Sequence, residues 1–159
     1  MADAAEHQTG DPHDWNALEN YIFLHELHID DHPLVDEKES ELTFTQLLTP
    51  EAPYDMLVVE GLIVCRNGLL LRVEKSGDLE RTSAQRVRMS LYRYNAWRPG
   101  GHNVLRYDNQ HLGDEDNYHR HEFDLTTGEE VDLRYLNRQE FPVMHQIFDE
   151  LMKSLPIAT

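Results

Sequence analysis

The chain is short of several things that would have narrowed its function at once. It holds a single cysteine, Cys65, in the apolar run "MLVVEGLIVCRNG", which excludes an internal disulfide and fits a reducing compartment. No stretch of about eighteen consecutive apolar residues occurs, so a membrane-spanning helix is not expected. The start, "MADAAEHQTGDPHDW", has neither a cationic opening nor an apolar core, so a secretory signal is not expected either and a cytoplasmic protein is. Lysine is scarce, three of fourteen basic residues. No P-loop, dinucleotide fingerprint, HExxH or nucleophile elbow is present, which removes the common sequence grounds for nucleotide, zinc-protease or serine-hydrolase chemistry.

What the chain has in excess is acid. The formal net charge is −16 over 159 residues, and it is unevenly spread. Residues 1–60 carry fifteen acidic residues and one basic residue, Lys38, whereas residues 66–106 carry nine basic and three acidic. The acidic surface with arginine favoured over lysine resembles the composition of proteins from salt-rich cytoplasm. An acidic segment beside a cationic one can screen that surface by folding over it, or it can simply keep the protein solvated.

Residues 1–13 are small, polar and acidic, with too little apolar surface to repay ordering, and are expected to form a disordered tail. Residues 14–159 are the length of one domain. Asp14 is a plausible N-cap for a helix carrying Trp15, Leu18, Ile22 and His25 at helical spacing, with His25, His28 and His32 on a partly exposed face. The segment "HPLVDEKESELTFTQLLTPEAPYD" is compatible with a short helix or an edge strand. Two β-branched runs then flank Asn67-Gly68, a strong hairpin signal. "QRVRMSLYRYNAW" alternates, with Val87, Met89 and Leu91 on one side and Arg88, Ser90, Tyr92 and Tyr94 on the other. "NVLRYDN" and "YHRHEFDL" read as strands on either side of the loop "QHLGDED". "QEFPVMHQIFDELMKSL" places Phe141, Met144, Ile147, Phe148, Leu151 and Leu155 on one helical stripe, with His145 at the surface or in packing. The expected architecture is α+β: a mostly antiparallel sheet of about five strands, an N-terminal helical region and a C-terminal helix.

The chemistry concentrates on those last two strands. Residues two apart on a strand share a face, so Arg106 joins Asp108 and His119 joins His121; if the strands pair with these faces coincident, four ionisable groups converge. Histidine supplies an acid or base, and arginine a grip on phosphate or carboxylate. Tyr92 and Tyr94 on the preceding strand, and Glu74 on the hairpin, could lie beside them. Ordinary cross-strand pairing on a solvated sheet face explains the same residues without function. A metal centre is the third reading, with His119 and His121 joined by Asp108 or His111.

The ordered run Tyr92 and Tyr94, then Arg106, Tyr107, Asp108, Asn109 and His111, then His119 and His121, with Glu74 on the hairpin before it, resembles the TumE family of toxins from toxin–antitoxin pairs over about residues 57–125. The chain differs in its long acidic N-terminal extension and in "WRPGGHN". The resemblance implies a growth-inhibiting protein held in check by a cognate antitoxin protein. By analogy with other small toxins it implies metal-independent RNA cleavage without a cofactor, with His119, His121, Arg106 and Asp108 catalytic and with Tyr92, Tyr94, His111 and Glu74 contacting substrate; the alternatives are a metal-dependent enzyme centred on His119 and His121 and a non-catalytic protein whose sheet only binds a partner.

Overall fold

A computed structural model describes residues 14–109, 118–137, 140–155 and 157. The tail at residues 1–13 and the whole "QHLGDED" loop, His111 included, lie outside the described residues. In chain order the elements are β1 (Asn16–Ala17), α1 (Leu18–Asp31), β2 (Glu41–Leu47), β3 (Asp55–Val64), β4 (Leu70–Leu79), β5 (Arg86–Trp97), β6 (Asn103–Asp108), β7 (Tyr118–Phe123), β8 (Glu130–Leu136) and α2 (Met144–Ser154). The class is α+β as expected, but the sheet is larger. Its order is β2-β3-β4-β5-β6-β7-β8, all neighbours antiparallel, with two-residue β1 added beside the start of β5. No helix among the described residues is long and apolar enough to cross a membrane.

The ambiguous segment before Pro53 resolves as edge strand β2. The strand not foreseen is β8, whose apolar residues Val131, Leu133 and Tyr135 alternate at period two within a mostly polar run. Asn67-Gly68 turns the β3–β4 hairpin with Gly68 at φ +89°, a left-handed conformation that glycine adopts without steric cost. The same turn reaches across the molecule, because Asn67 Nδ2 donates to the carbonyls of Leu151 (3.1 Å) and Leu155 (2.7 Å) and so caps the C-terminal end of α2.

Both helices begin later than the sequence pattern suggests. Helix α1 starts at Leu18, leaving Trp15 ahead of it beneath the guanidinium of Arg88, 4.6 Å from the ring centroid. Helix α2 starts at Met144, because Pro142 disfavours helical backbone at Phe141. Phe141 becomes instead a buried plug ringed by Tyr92, Tyr94, Tyr107 and Tyr118 at centroid distances of 5.0–6.3 Å.

A bulge in β5 sets which tyrosines face that plug. Ser76 opposes Leu91 but Gly77 opposes Met89, so Ser90 is an extra residue and the inward alternation passes from Val87 and Met89 to Tyr92, Tyr94 and Ala96. Tyr92 and Tyr94, expected beside the polar residues, are each 1% exposed and belong to the core. Asn109 repairs the bulge: Tyr92 N–H donates to its Oδ1 (2.8 Å), and its Nδ2 donates to Ser90 O (2.7 Å). Gly77 sits opposite, where an added Cβ would lie 2.2 Å from the Arg88 carbonyl oxygen.

His25 is a second correction, since it is fully buried rather than partly exposed. Its Nδ1–H donates to Tyr21 O (2.7 Å), and its Nε2 accepts from Lys75 Nζ (2.6 Å), a lysine buried on the inner side of β4 near the rings of Tyr21 and Tyr94. The stripe of His28 and His32 does reach the boundary between helices: His28 stacks on His145, and His32 Nε2 bonds Asp149 Oδ1 at 2.7 Å.

Two stability outcomes follow. Gly77→Ala should destabilise by about 2 kcal/mol or more in urea unfolding, because backbone rather than a flexible side chain must move. Burial lowers the Lys75 pKa from 10.5 to about 7. The folded state therefore disfavours the charged lysine, with the penalty complete below about pH 7 and relieved as pH rises towards the unfolded value, by up to about 1.4 kcal/mol per pH unit. Stability of the parent chain should climb between about pH 7 and about pH 10.5, and Lys75→Met should be more stable at pH 7 with that climb removed.

Candidate functional site

The registers of β4 to β8 lay side chains in rows across the face of the sheet turned away from Phe141 and the two helices. One row is Glu74, Arg93, Asp108, His119 and Tyr135; the next is Arg72, Asn95, Arg106, His121 and Leu133. Arg106 opposes His121 and Asp108 opposes His119, so the four residues expected to converge do so. Successive strands lie about 4.8 Å apart, which fixes their spacing from the backbone rather than from loops.

Asp108 is the hub. It is 1% exposed; Arg106 Nε donates to its Oδ2, His119 Nε2 meets its Oδ1, and His121 Nε2 lies 3.7 Å from its Oδ2. On the far side His121 Nδ1–H donates to Glu130 Oε1, from the start of β8. That bond leaves Nε2 as the ring's acceptor nitrogen; the side chain is 13% exposed, but Nε2 itself is buried against the Asp108 carboxylate. No hydrogen bond to His121 Nε2 forms among the described residues. His119 is completely enclosed, with its ring 4.9 Å from that of His121 and 6.1 Å from that of Tyr135. Donor atoms of Asp108, His119 and His121 lie within 4.8 Å of one another, a spacing that a small closure would bring to that of three metal ligands.

The other expected participants separate into three cases. Glu74 is on the correct face but one row position beyond Arg93, which it approaches at 3.7 Å, so it touches the cluster only through that arginine. Tyr92 and Tyr94 point to the opposite face because of the β5 bulge. His111 is outside the described residues. Glu130 and Tyr135 were missed along with β8; the alternation of Val131, Leu133 and Tyr135 was the available signal.

The cationic stretch does not make an open basic patch. Arg81 pairs with Asp55, Arg86 with Glu80, Arg88 with Asp78, Arg93 with Glu74 and Arg106 with Asp108. The acidic run reaches only one end of this stretch: Glu41 opens β2 and lines a cleft with Arg72 of β4, but lies four strands from the β6 that carries Arg106. Clefts of 350 Å³ beside Trp15 and Tyr54, and of 250 Å³ beside Thr43 and Gly61, lie apart from the histidine cluster. Comparison with family models, curated proteins and solved structures finds no match for this chain.

The Asp108 hub gives a direct stability test. Asp108→Asn keeps the volume but removes the anion, leaving the Arg106 charge without its partner beside a buried imidazole. A loss of about 3 kcal/mol is expected from urea unfolding, the cost of breaking rather than replacing a buried pair.

Proposed function

We propose that this chain is the toxin of a toxin–antitoxin pair and that it cleaves RNA by metal-independent proton transfer on the open sheet face. The observation that carries the reading is the convergence of Arg106, Asp108, His119 and His121, with His121 Nε2 buried, without a hydrogen-bond partner among the described residues, and next to a fixed guanidinium. The ordered aromatic, Arg-Tyr-Asp-Asn and His-x-His elements that resemble TumE toxins support the biological setting.

In this reaction His121 Nε2 takes the proton of a 2′-hydroxyl as its oxygen attacks the adjacent phosphorus, and the proton returns to the departing 5′ oxygen. The products are a 2′,3′-cyclic phosphate and a 5′-hydroxyl end. Arg106 uses its Nε on Asp108, which leaves its terminal nitrogens for the phosphate oxygens. His119, enclosed behind Asp108, holds that carboxylate and with it the guanidinium. Exposed Tyr135 offers the aromatic surface for a base that Tyr92 and Tyr94 cannot. The cognate antitoxin would inhibit by covering this face.

A second reading has its own observation. A carboxylate on the outer nitrogen of a histidine is the usual support of a metal-bound imidazole, and Glu130 occupies that place on His121 while Asp108, His119 and His121 cluster within 4.8 Å. Against it stands Arg106, whose positive charge already sits on Asp108, so an incoming dication would be placed beside a cation.

Sequencing RNA ends after induction, together with cleavage by purified protein before and after chelation, separates the readings. The metal-independent reaction predicts cyclic phosphate and 5′-hydroxyl ends that persist in chelator. His121→Ala should reduce cleavage about a hundredfold or more with cooperative unfolding retained. Arg106→Lys should also be impaired, because lysine keeps charge but loses the planar fork. Activity lost to chelator and restored by zinc or manganese would replace this mechanism with the metal-dependent one, and intact RNA under all conditions would reject the ribonuclease reading.

A further inference from the structure

Among the described residues strand β8 ends the sheet, and all six residues from Glu130 to Tyr135 are exposed, so one row of its backbone donors and acceptors has no described strand beside it. Such an edge invites another strand unless charge or proline blunts it. β8 contains no proline, and it shows Val131 at 62%, Leu133 at 39% and Tyr135 at 63% exposure. Its charges are also mismatched within the chain. Arg134 stands opposite Arg120, and Asp132 opposite Glu122, two like-charge cross-strand pairs. Arg120 is neutralised by Glu122 and Glu150, but neither Asp132 nor Arg134 forms an ion pair with a described residue.

We propose that β8 pairs antiparallel with β8 of a second copy of this chain, about a two-fold axis passing through Leu133. This register sets Asp132 opposite the second copy's Arg134 and Arg134 opposite its Asp132, so each like-charge neighbour within the chain gains an opposite charge on its free side. On the other face Leu133 meets its own copy, while Val131, the extra residue where Glu122 opposes Asp132 but Phe123 opposes Glu130, lies at the bulged start of the strand, outside the paired stretch. The adjacent registers that preserve facing are worse: a shift one way opposes Asp132 to Asp132, and a shift the other way opposes Arg134 to Arg134. The sequence of the edge therefore selects one self-pairing and disfavours its neighbours, which is how register is specified when hydrophobic alternation alone would leave it open.

Because the axis is perpendicular to the sheet, both open faces lie on the same side of the joined sheet. His121 opposes Leu133 within each chain, so the two His121 side chains fall three strand spacings apart, about 14 Å. Two Asp108 clusters then share one continuous surface. The contact is a single short strand, at the small end of specific interfaces, so a concentration-dependent equilibrium in about the micromolar range is expected.

The test uses the full chain in sedimentation equilibrium, with a cysteine cross-link to read the register. The parent should dimerise, Arg134→Asp should weaken dimerisation at least about tenfold, and the exchange of both residues, Asp132→Arg with Arg134→Asp, should restore it. Leu133→Cys should oxidise to a disulfide-linked dimer far faster than Tyr135→Cys, whose new thiol lies two residues off the axis and away from its own copy; Cys65 is buried and does not compete. Circular dichroism identifies any variant that fails to fold, and the cross-link in the otherwise unchanged chain then decides. A parent that stays monomeric up to about 0.5 mM, a dimer indifferent to Arg134→Asp, or equal cross-linking at positions 133 and 135 would overturn the proposal.

Discussion

The single extra residue in β5 governs both faces of the sheet. Without it, strict period two would carry Val87 and Met89 inward and continue through Leu91 and Arg93, sending Tyr92 and Tyr94 to the open face. With Ser90 bulged, Arg93 and Asn95 join Asp108 and Arg106 outside, and the two tyrosines close around Phe141 inside. The bulge needs two concessions. Opposite it the partner strand must have no side chain, which Gly77 supplies, and the backbone groups it displaces must be satisfied, which Asn109 does with both ends of its amide. Asn109 directly follows Asp108, so the residue that stabilises the bulge and the hub of the open face are adjacent in one short motif.

The hub is built for rigidity. Asp108 accepts from Arg106 on its own strand and contacts His119 on the next, while Glu130 from the strand beyond fixes His121. Three neighbouring strands thus orient one carboxylate and one imidazole, and sheet hydrogen bonding sets the distances. On the opposite face Arg120 bonds Tyr107 Oη and Glu150, fastening α2 to the same two strands, β6 and β7, from behind. The outward cluster is therefore carried on strands that are clamped from the core side.

Much of this was legible in the chain. Asn67-Gly68 marked its hairpin, and the spacing of Arg106, Asp108, His119 and His121 placed all four on one face, because residues two apart survive any uncertainty in strand ends. The failures have local causes. Period-two reasoning cannot see a bulge, and Ser90 carries no signal of one, so the tyrosines were put on the wrong side. His25 looked like a polar residue on an amphipathic helix, since Lys75, its hydrogen-bond partner in the core, is fifty positions away. Strand β8 is exposed at nearly every residue, so it has none of the apolar density that identified the central strands, and Glu130 and Tyr135 went unnoticed with it. Phe141 matched the helical stripe in spacing but is separated from the helix by Pro142.

Charge imposes a final condition on any reading that includes RNA. The chain's net charge of −16 repels a polyanion at long range, and six of the eight arginines of the cationic stretch are already matched to carboxylates. Recognition must then come from contacts shorter than the screening length of about 8–10 Å at ordinary ionic strength, where the terminal nitrogens of Arg106 and the ring of Tyr135 act individually. Rising salt weakens the repulsion of the whole surface as well as the attraction at the site. A protein organised this way favours substrates already drawn close or held in place over free capture from dilute solution, and it tolerates salt that would disable a surface reliant on a summed positive field.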